Sequence, residues 1–185
     1  VAAYAGSNGL DPTAFPSLLR MENDLVGFAL GLLDGPESAV GTVTSGGTEA
    51  LTSAILAVVE PGDEVVVFQP VYDSYLPIIR QAGGIPRLVR LEPPHWRLSE
   101  EALQSVFNHK TKAVLFNNPL NPAAVVYPRA DRELRARFCQ QFDTIAICDE
   151  VWEHVVFDGR EHIPLITIPG MRDRSFGRIV NISSI

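Results

Sequence analysis

The stretch TIAICDEVWEHVVF, Thr144 to Phe157, runs Ile145, Ala146, Ile147 and Cys148 directly into two carboxylates, Asp149 and Glu150. Consecutive apolar residues of this kind predict a strand covered on both faces. A carboxylate at the end of such a strand is costly unless it is paired. Two kinds of partner are open at this point: one of the thirteen arginines, or a cationic group on a ligand.

Working outward, similar apolar runs fall at residues 40–44, 64–68, 85–91, 113–117 and 178–183. Helical patterns lie between them. The first opens at Pro16 and ends near Gly35, and the others cover 48–59, 73–82, 99–107 and 129–142, with Ser99 as an N-cap. Strand and helix in alternation predict an α/β fold of three layers, αβα, around a mostly parallel sheet. Composition agrees, with 46% hydrophobic and 20% charged residues. A chain of this size can hide roughly 70% of its extended surface.

The totals also exclude. No apolar run reaches the roughly 18 residues of a membrane span. A net charge of −7 argues against nucleic acid as a partner. Cys139 and Cys148 have no framework spacing and fit buried, reduced thiols in a cytoplasmic setting. The start at Val1, with no visible signal peptide, points to a fragment or a processed product. The acids Asp131, Glu133, Glu100 and Glu101 read as solvated helix faces. The four histidines, His95, His109, His154 and His162, show no metal spacing and read as surface or structural, with His154 the one near a candidate loop.

In parallel sheets ligands bind beyond the carboxyl ends of the strands, so the informative residues follow each run. Gly46, Gly47 and Thr48 in TSGGTE join a strand to a helix N-terminus, which suits a phosphate; the plainer reading is a tight turn. Tyr72 in PVYDSY can stack on a flat ligand or simply pack at the rim. Asn121 in NNPLNP can present its amide to a ligand oxygen or stabilise a turn. Asp149 can hold a protonated ring nitrogen, and Ser184 in NISSI offers a hydroxyl at the last run. A ligand with a phosphate, a flat ring, an oxygen substituent and a basic ring nitrogen would use all five, and pyridoxal 5′-phosphate is such a molecule.

From about Gly46 onward, PGDEVVVFQPVYDSY, NNPLNP and CDEVWEHVVFDG stand in the order and spacing of class I/II aminotransferases of fold type I, and the chain resembles their kynurenine and methionine aminotransferase-like branch. The resemblance implies a partial large domain that binds pyridoxal phosphate, with amino acid and 2-oxo acid substrates and a homodimeric parent. It assigns Gly46, Gly47, Thr48 and Ser184 to the phosphate, Tyr72 to ring stacking, Asn121 to the ring oxygen and Asp149 to the ring nitrogen. Trp152 stands where those proteins carry a tyrosine, and its indole donates one hydrogen bond without accepting or titrating as a phenol does. Residues 1–48 instead resemble the sphingosine-1-phosphate lyase and group II decarboxylase branch of the same fold. Two further expectations follow, a chimera joined within TSGGTEAL and, as an alternative activity, a carbon–carbon lyase or decarboxylase. Tyr72 stands where that branch would stack a histidine.

The resemblance places the family's Schiff-base lysine two residues past Ile185. The only two lysines, Lys110 and Lys112, precede a strand at the end away from these loops. The 185 residues are therefore expected to hold no catalytic residue of their own and to bind the cofactor without a covalent bond or not at all. A non-enzymatic scaffold is the third reading.

Overall fold

The structure, a computed structural model, describes residues 16–33, 40–165 and 179–182. The chain divides into two compact units, Val1–Ser45 and Gly46–Ile185. The first contains α1 (Ser17–Leu33), whose first turn is closed by the Arg20 N–H donating to the Pro16 carbonyl. The second holds α2 (Gly47–Val58), β1 (Glu64–Gln69), α3 (Tyr75–Gln81), β2 (Ile85–Arg90), α4 (Glu100–Gln104), β3 (Thr111–Asn117), α5 (Arg129–Phe142), β4 (Ile145–Asp149) and β5 (Ile179–Ile182). Among the described residues no helix is long and apolar enough to cross a membrane.

The five strands form one parallel sheet in the order β2-β1-β3-β4-β5. Alternate residues of the central strands feed two cores. Val65, Val67, Ala113, Leu115, Ile145 and Ile147 pack on α2 and α3, and their neighbours Val66, Phe68, Val114, Phe116, Ala146 and Cys148 pack on α4 and α5. Burial on both faces explains why these strands read as continuous apolar runs. Cys139 and Cys148 are buried free thiols, and burial pushes Cys139 up to about 12.

Three expectations are corrected. Residues 40–44 are not a strand: Val40 is 92% exposed and pairs with no strand among the described residues, and an extended run without a ladder partner is not one. The helix after Ser99 stops at Gln104 rather than Phe107. Ser99 Oγ does accept the Ala102 N–H at 3.1 Å, but beyond Gln104 the helix gives way to a turn in which the Val106 and Phe107 N–H groups share the Leu103 carbonyl at 3.0 and 2.9 Å. Asp131 is not on a solvated face. It is 3% exposed, takes Arg97 Nη2 at 2.6 Å on one oxygen and meets the Leu98 N–H at 3.4 Å with the other. It clamps the first turn of α5 to the segment before α4.

Candidate functional site

Strand order decides where a ligand can lie. After β1 the chain adds β2 on one side, then crosses back to add β3 on the other. Such a reversal opens a crevice beyond the carboxyl ends of the two diverging strands. Phe68, Pro70, Tyr72, Tyr75, Asn117 and Asn121 are among the residues that line it. Tyr72 is half-buried and meets the Tyr75 ring edge-on, with centroids 5.5 Å apart at 76°.

Asp149 ends β4 as the register partner of Asn117 and is 6% exposed. Its partner is neither an arginine nor any other cation among the described residues. The buried Tyr75 hydroxyl donates to Oδ2 at 2.5 Å, and the Val151 N–H approaches Oδ1 at 3.4 Å. Burial pushes the Asp149 carboxyl above the usual carboxylate range, with Glu150 adding to the rise and the two donors opposing it. The Tyr75 phenol is held well above its ordinary value by burial and by the Asp149 charge.

Two asparagines fix the ends of β3 and β4 to each other. Asn117 Nδ2 donates to the Asp149 carbonyl at 3.2 Å, while its Oδ1 accepts the Asn121 N–H at 2.5 Å and so shapes the loop that presents Asn121 to the crevice. The Asn118 N–H donates to the same Asp149 carbonyl at 3.1 Å. Sequence reasoning missed Tyr75 and both asparagines. The doubled NN and the second tyrosine of YDSY were the available signals.

Beside the turn that follows Asp149, α2 starts from Gly46, whose φ of 166° is extended backbone open to any residue. A Cβ at Gly46 would meet nothing within 4 Å, and one at Gly47 would only touch Val151 Cγ2 at 3.7 Å. Packing therefore demands neither glycine, and the Gly47–Val151 approach sets the helix N-terminus beside the Asp149 turn. Thr48 is exposed, with its carbonyl accepting Thr52 Oγ1 at 2.7 Å. Trp152 follows Asp149 in the turn and is 46% exposed. Ser184 lies outside the described residues. Lys110, exposed, and Lys112, half-buried, sit at the amino end of β3, away from this edge.

Glu150, Glu153 and His162 bring one potential ligand atom each within 4.8 Å of one another. Asn118 argues against a metal there. Its Oδ1 accepts the Tyr127 N–H at 3.1 Å, which leaves Nδ2 to donate to His162 Nδ1 at 3.1 Å. The neutral ring then carries its proton on Nε2, which faces Glu150 Oε1 at 3.4 Å and has no lone pair for a cation. His162 is structural, and His154 is exposed beside Glu153.

The chain is similar to known proteins. Human kynurenine–oxoglutarate transaminase 1 is 37% identical over 172 residues, covering 87% of this chain and 40% of that protein. The methionine aminotransferase of Escherichia coli strain K12 is 38% identical over 147 residues, 77% of this chain and 38% of its own length. Among solved structures, N-succinyldiaminopimelate aminotransferase from Mycobacterium tuberculosis superposes with a TM-score of 0.72 at 37% identity, covering 77% of this chain and 37% of that one. The chain thus spans about two fifths of the length of the curated relatives it matches. The family described as aminotransferase class I and II matches residues 19–177. With a parallel sheet whose crevice holds Tyr72 and Asn121, and with Asp149 behind its Tyr75 wall, the chain belongs to the class I and II aminotransferases.

Proposed function

We propose that residues 46–185 form the pyridoxal phosphate-binding part of an aminotransferase that moves an amino group between an amino acid and a 2-oxo acid. The observation that carries this is Asp149, a buried carboxylate at the end of β4 with a phenol for a partner and no cation among the described residues. The family depends on pyridoxal phosphate, and the residues present fit that group. A protonated ring nitrogen supplies the positive charge that Asp149 lacks, and the open space at Gly46 leaves room for a phosphate at the N-terminus of α2.

When bound, the cofactor supplies an electron sink for the bonds of an amino acid's α-carbon. Asp149 holds the proton on the ring nitrogen, and Tyr75 and Val151 hold Asp149. Tyr72 would cover a face of the ring, Asn121 would donate to its oxygen, and the N-terminus of α2 at Gly46, Gly47 and Thr48 would receive the phosphate, with Ser184 assigned to it by the resemblance alone. Trp152 adds an indole N–H at the rim. Neither Lys110 nor Lys112 lies near these groups, so the 185 residues bind the cofactor through non-covalent contacts and turn nothing over alone. The parent is a cytoplasmic homodimer in this reading. The join expected within TSGGTEAL, between a lyase-like segment and an aminotransferase-like one, falls where the chain divides into its two compact units, a division of contacts that says nothing of ancestry. The family match begins upstream of that join, at residue 19.

The test is an absorbance titration with pyridoxal phosphate, then borohydride reduction and mass spectrometry. Saturable binding with no reduced adduct, weakened at least tenfold in Asp149→Ala, is the expected result. Equal binding by that variant overturns the site.

A further inference from the structure

The loop that carries Asn121 to the crevice runs from Asn118 to Tyr127. It is pinched midway, where the Leu120 N–H donates to the Val125 carbonyl at 2.8 Å. At its base Asn118, 5% exposed, bonds in three directions. Its N–H donates to the Asp149 carbonyl at 3.1 Å, its Oδ1 accepts the Tyr127 N–H at 3.1 Å, and its Nδ2 faces His162 Nδ1 at 3.1 Å. One asparagine thus clasps the two ends of the loop together and ties them to the backbone of Asp149.

His162 decides which way that clasp points. A carboxamide has one oxygen and one NH2, and a half-turn of its plane exchanges them. The Tyr127 N–H is a fixed donor and needs the oxygen. The lone pair on His162 Nδ1 needs the NH2, so one orientation meets both demands. Without an acceptor at Nδ1 the buried Asn118 Nδ2 bears its desolvation penalty uncompensated. The far side of the ring is held as well. Nε2 faces Glu150 Oε1 at 3.4 Å, the Leu165 N–H reaches the same oxygen at 3.2 Å, and Glu153 brings a second carboxylate within 4.8 Å. Arg132 then locks the two segments to each other by donating to the Tyr127 and Ile163 carbonyls. Given the cofactor assignment proposed above, we infer that His162 is a positioning residue for that site, orienting the Asn118 amide through Nδ1 so that Asn121 and Asp149 keep their places. It acts through Asn118 and not on the cofactor.

Two substitutions in the 185-residue chain separate the ring nitrogens. His162→Asn puts a carboxamide oxygen near the place of Nδ1 and drops the Glu150 contact. His162→Gln reaches Glu150 and leaves the place of Nδ1 without an acceptor. Pyridoxal phosphate Kd is measured by absorbance titration at one pH, with Tm and the hydrogen exchange of the Tyr127 N–H alongside. His162→Gln is expected to weaken binding roughly fivefold and to speed that exchange, and His162→Asn to restore both. A lower Tm with unchanged Kd in both variants marks a ring that only stabilises the fold, and overturns the proposal. Equal loss of affinity in both overturns it too, since Nδ1 is then not the atom that matters. If neither variant folds, nitrogen-15 NMR of the wild type decides: a bare Nδ1 with the proton on Nε2 sustains the proposal, and a proton on Nδ1 of the neutral ring overturns it. A wild type that binds no pyridoxal phosphate fails the cofactor assignment itself, and this inference falls with it.

Discussion

Burial pushes the Asp149 carboxyl above the usual range, so the folded chain holds that proton more tightly than the unfolded chain does. The stability this contributes is complete below the ordinary carboxylate pKa and is lost as pH rises through the raised native value. Asp149→Asn keeps an acceptor for Tyr75 and has no charge to bury. Denaturant midpoints measured from pH 4 to 7 are expected to show this variant overtaking the wild type toward neutrality, while its pyridoxal phosphate affinity falls. Tyr75→Phe removes the stronger of the two donors that favour the charged form. It shifts the pH at which cofactor affinity rises to a higher value, read from Kd against pH, and costs about 1–3 kcal/mol by unpairing a buried group. Asp149 was legible in the sequence because a charge closing an apolar run is chemically odd wherever it folds. Tyr75 was not. It lies three residues beyond Tyr72, and only the start of α3 decides which ring turns to the carboxylate. Asp131 was misread because its partners Arg97 and Leu98 are more than thirty residues away and leave no local pattern.

Among the elements, α5 matched its sequence pattern end to end, and its weak point is also local. Asp143 closes the helix in the left-handed region at φ 51°, with its N–H on the Cys139 carbonyl and no basic residue in the last turn. An aspartate there strains its backbone and sets a negative charge at the negative end of the helix dipole. Asp143→Gly is expected to stabilise the protein by about 0.5–1 kcal/mol, seen as a higher urea midpoint at unchanged slope. The turn between α3 and β2 already has its glycine. Gly83 sits at φ 80°, where a Cβ would stand 3.0 Å from Pro61. Residues 40–44 mark the limit of element-level reading. A β-branched run says that a segment fits a pleated surface, and says nothing of which strand supplies the ladder.

At the scale of the whole molecule the alternation of runs gave away the class of fold, and the strand order did not follow from it. That order needed the β2 to β3 crossover, and with it came the crevice. Ile147, fully buried in the central layer, tests how tightly the sheet depends on its α2 and α3 face: Ile147→Ala is expected to cost about 2–5 kcal/mol, measured as a lower urea midpoint. The candidate site is drawn from the crevice at the ends of β1 and β3, from Asp149 at the end of β4 and from the start of α2, segments that lie far apart along the chain. An unfolded polypeptide therefore presents nothing for the cofactor to recognise, and mass action ties survival to supply. Cofactor at a hundred times its Kd adds about 2.7 kcal/mol to the folded state, so in a starved cell this chain would be cleared by proteases faster than in a replete one.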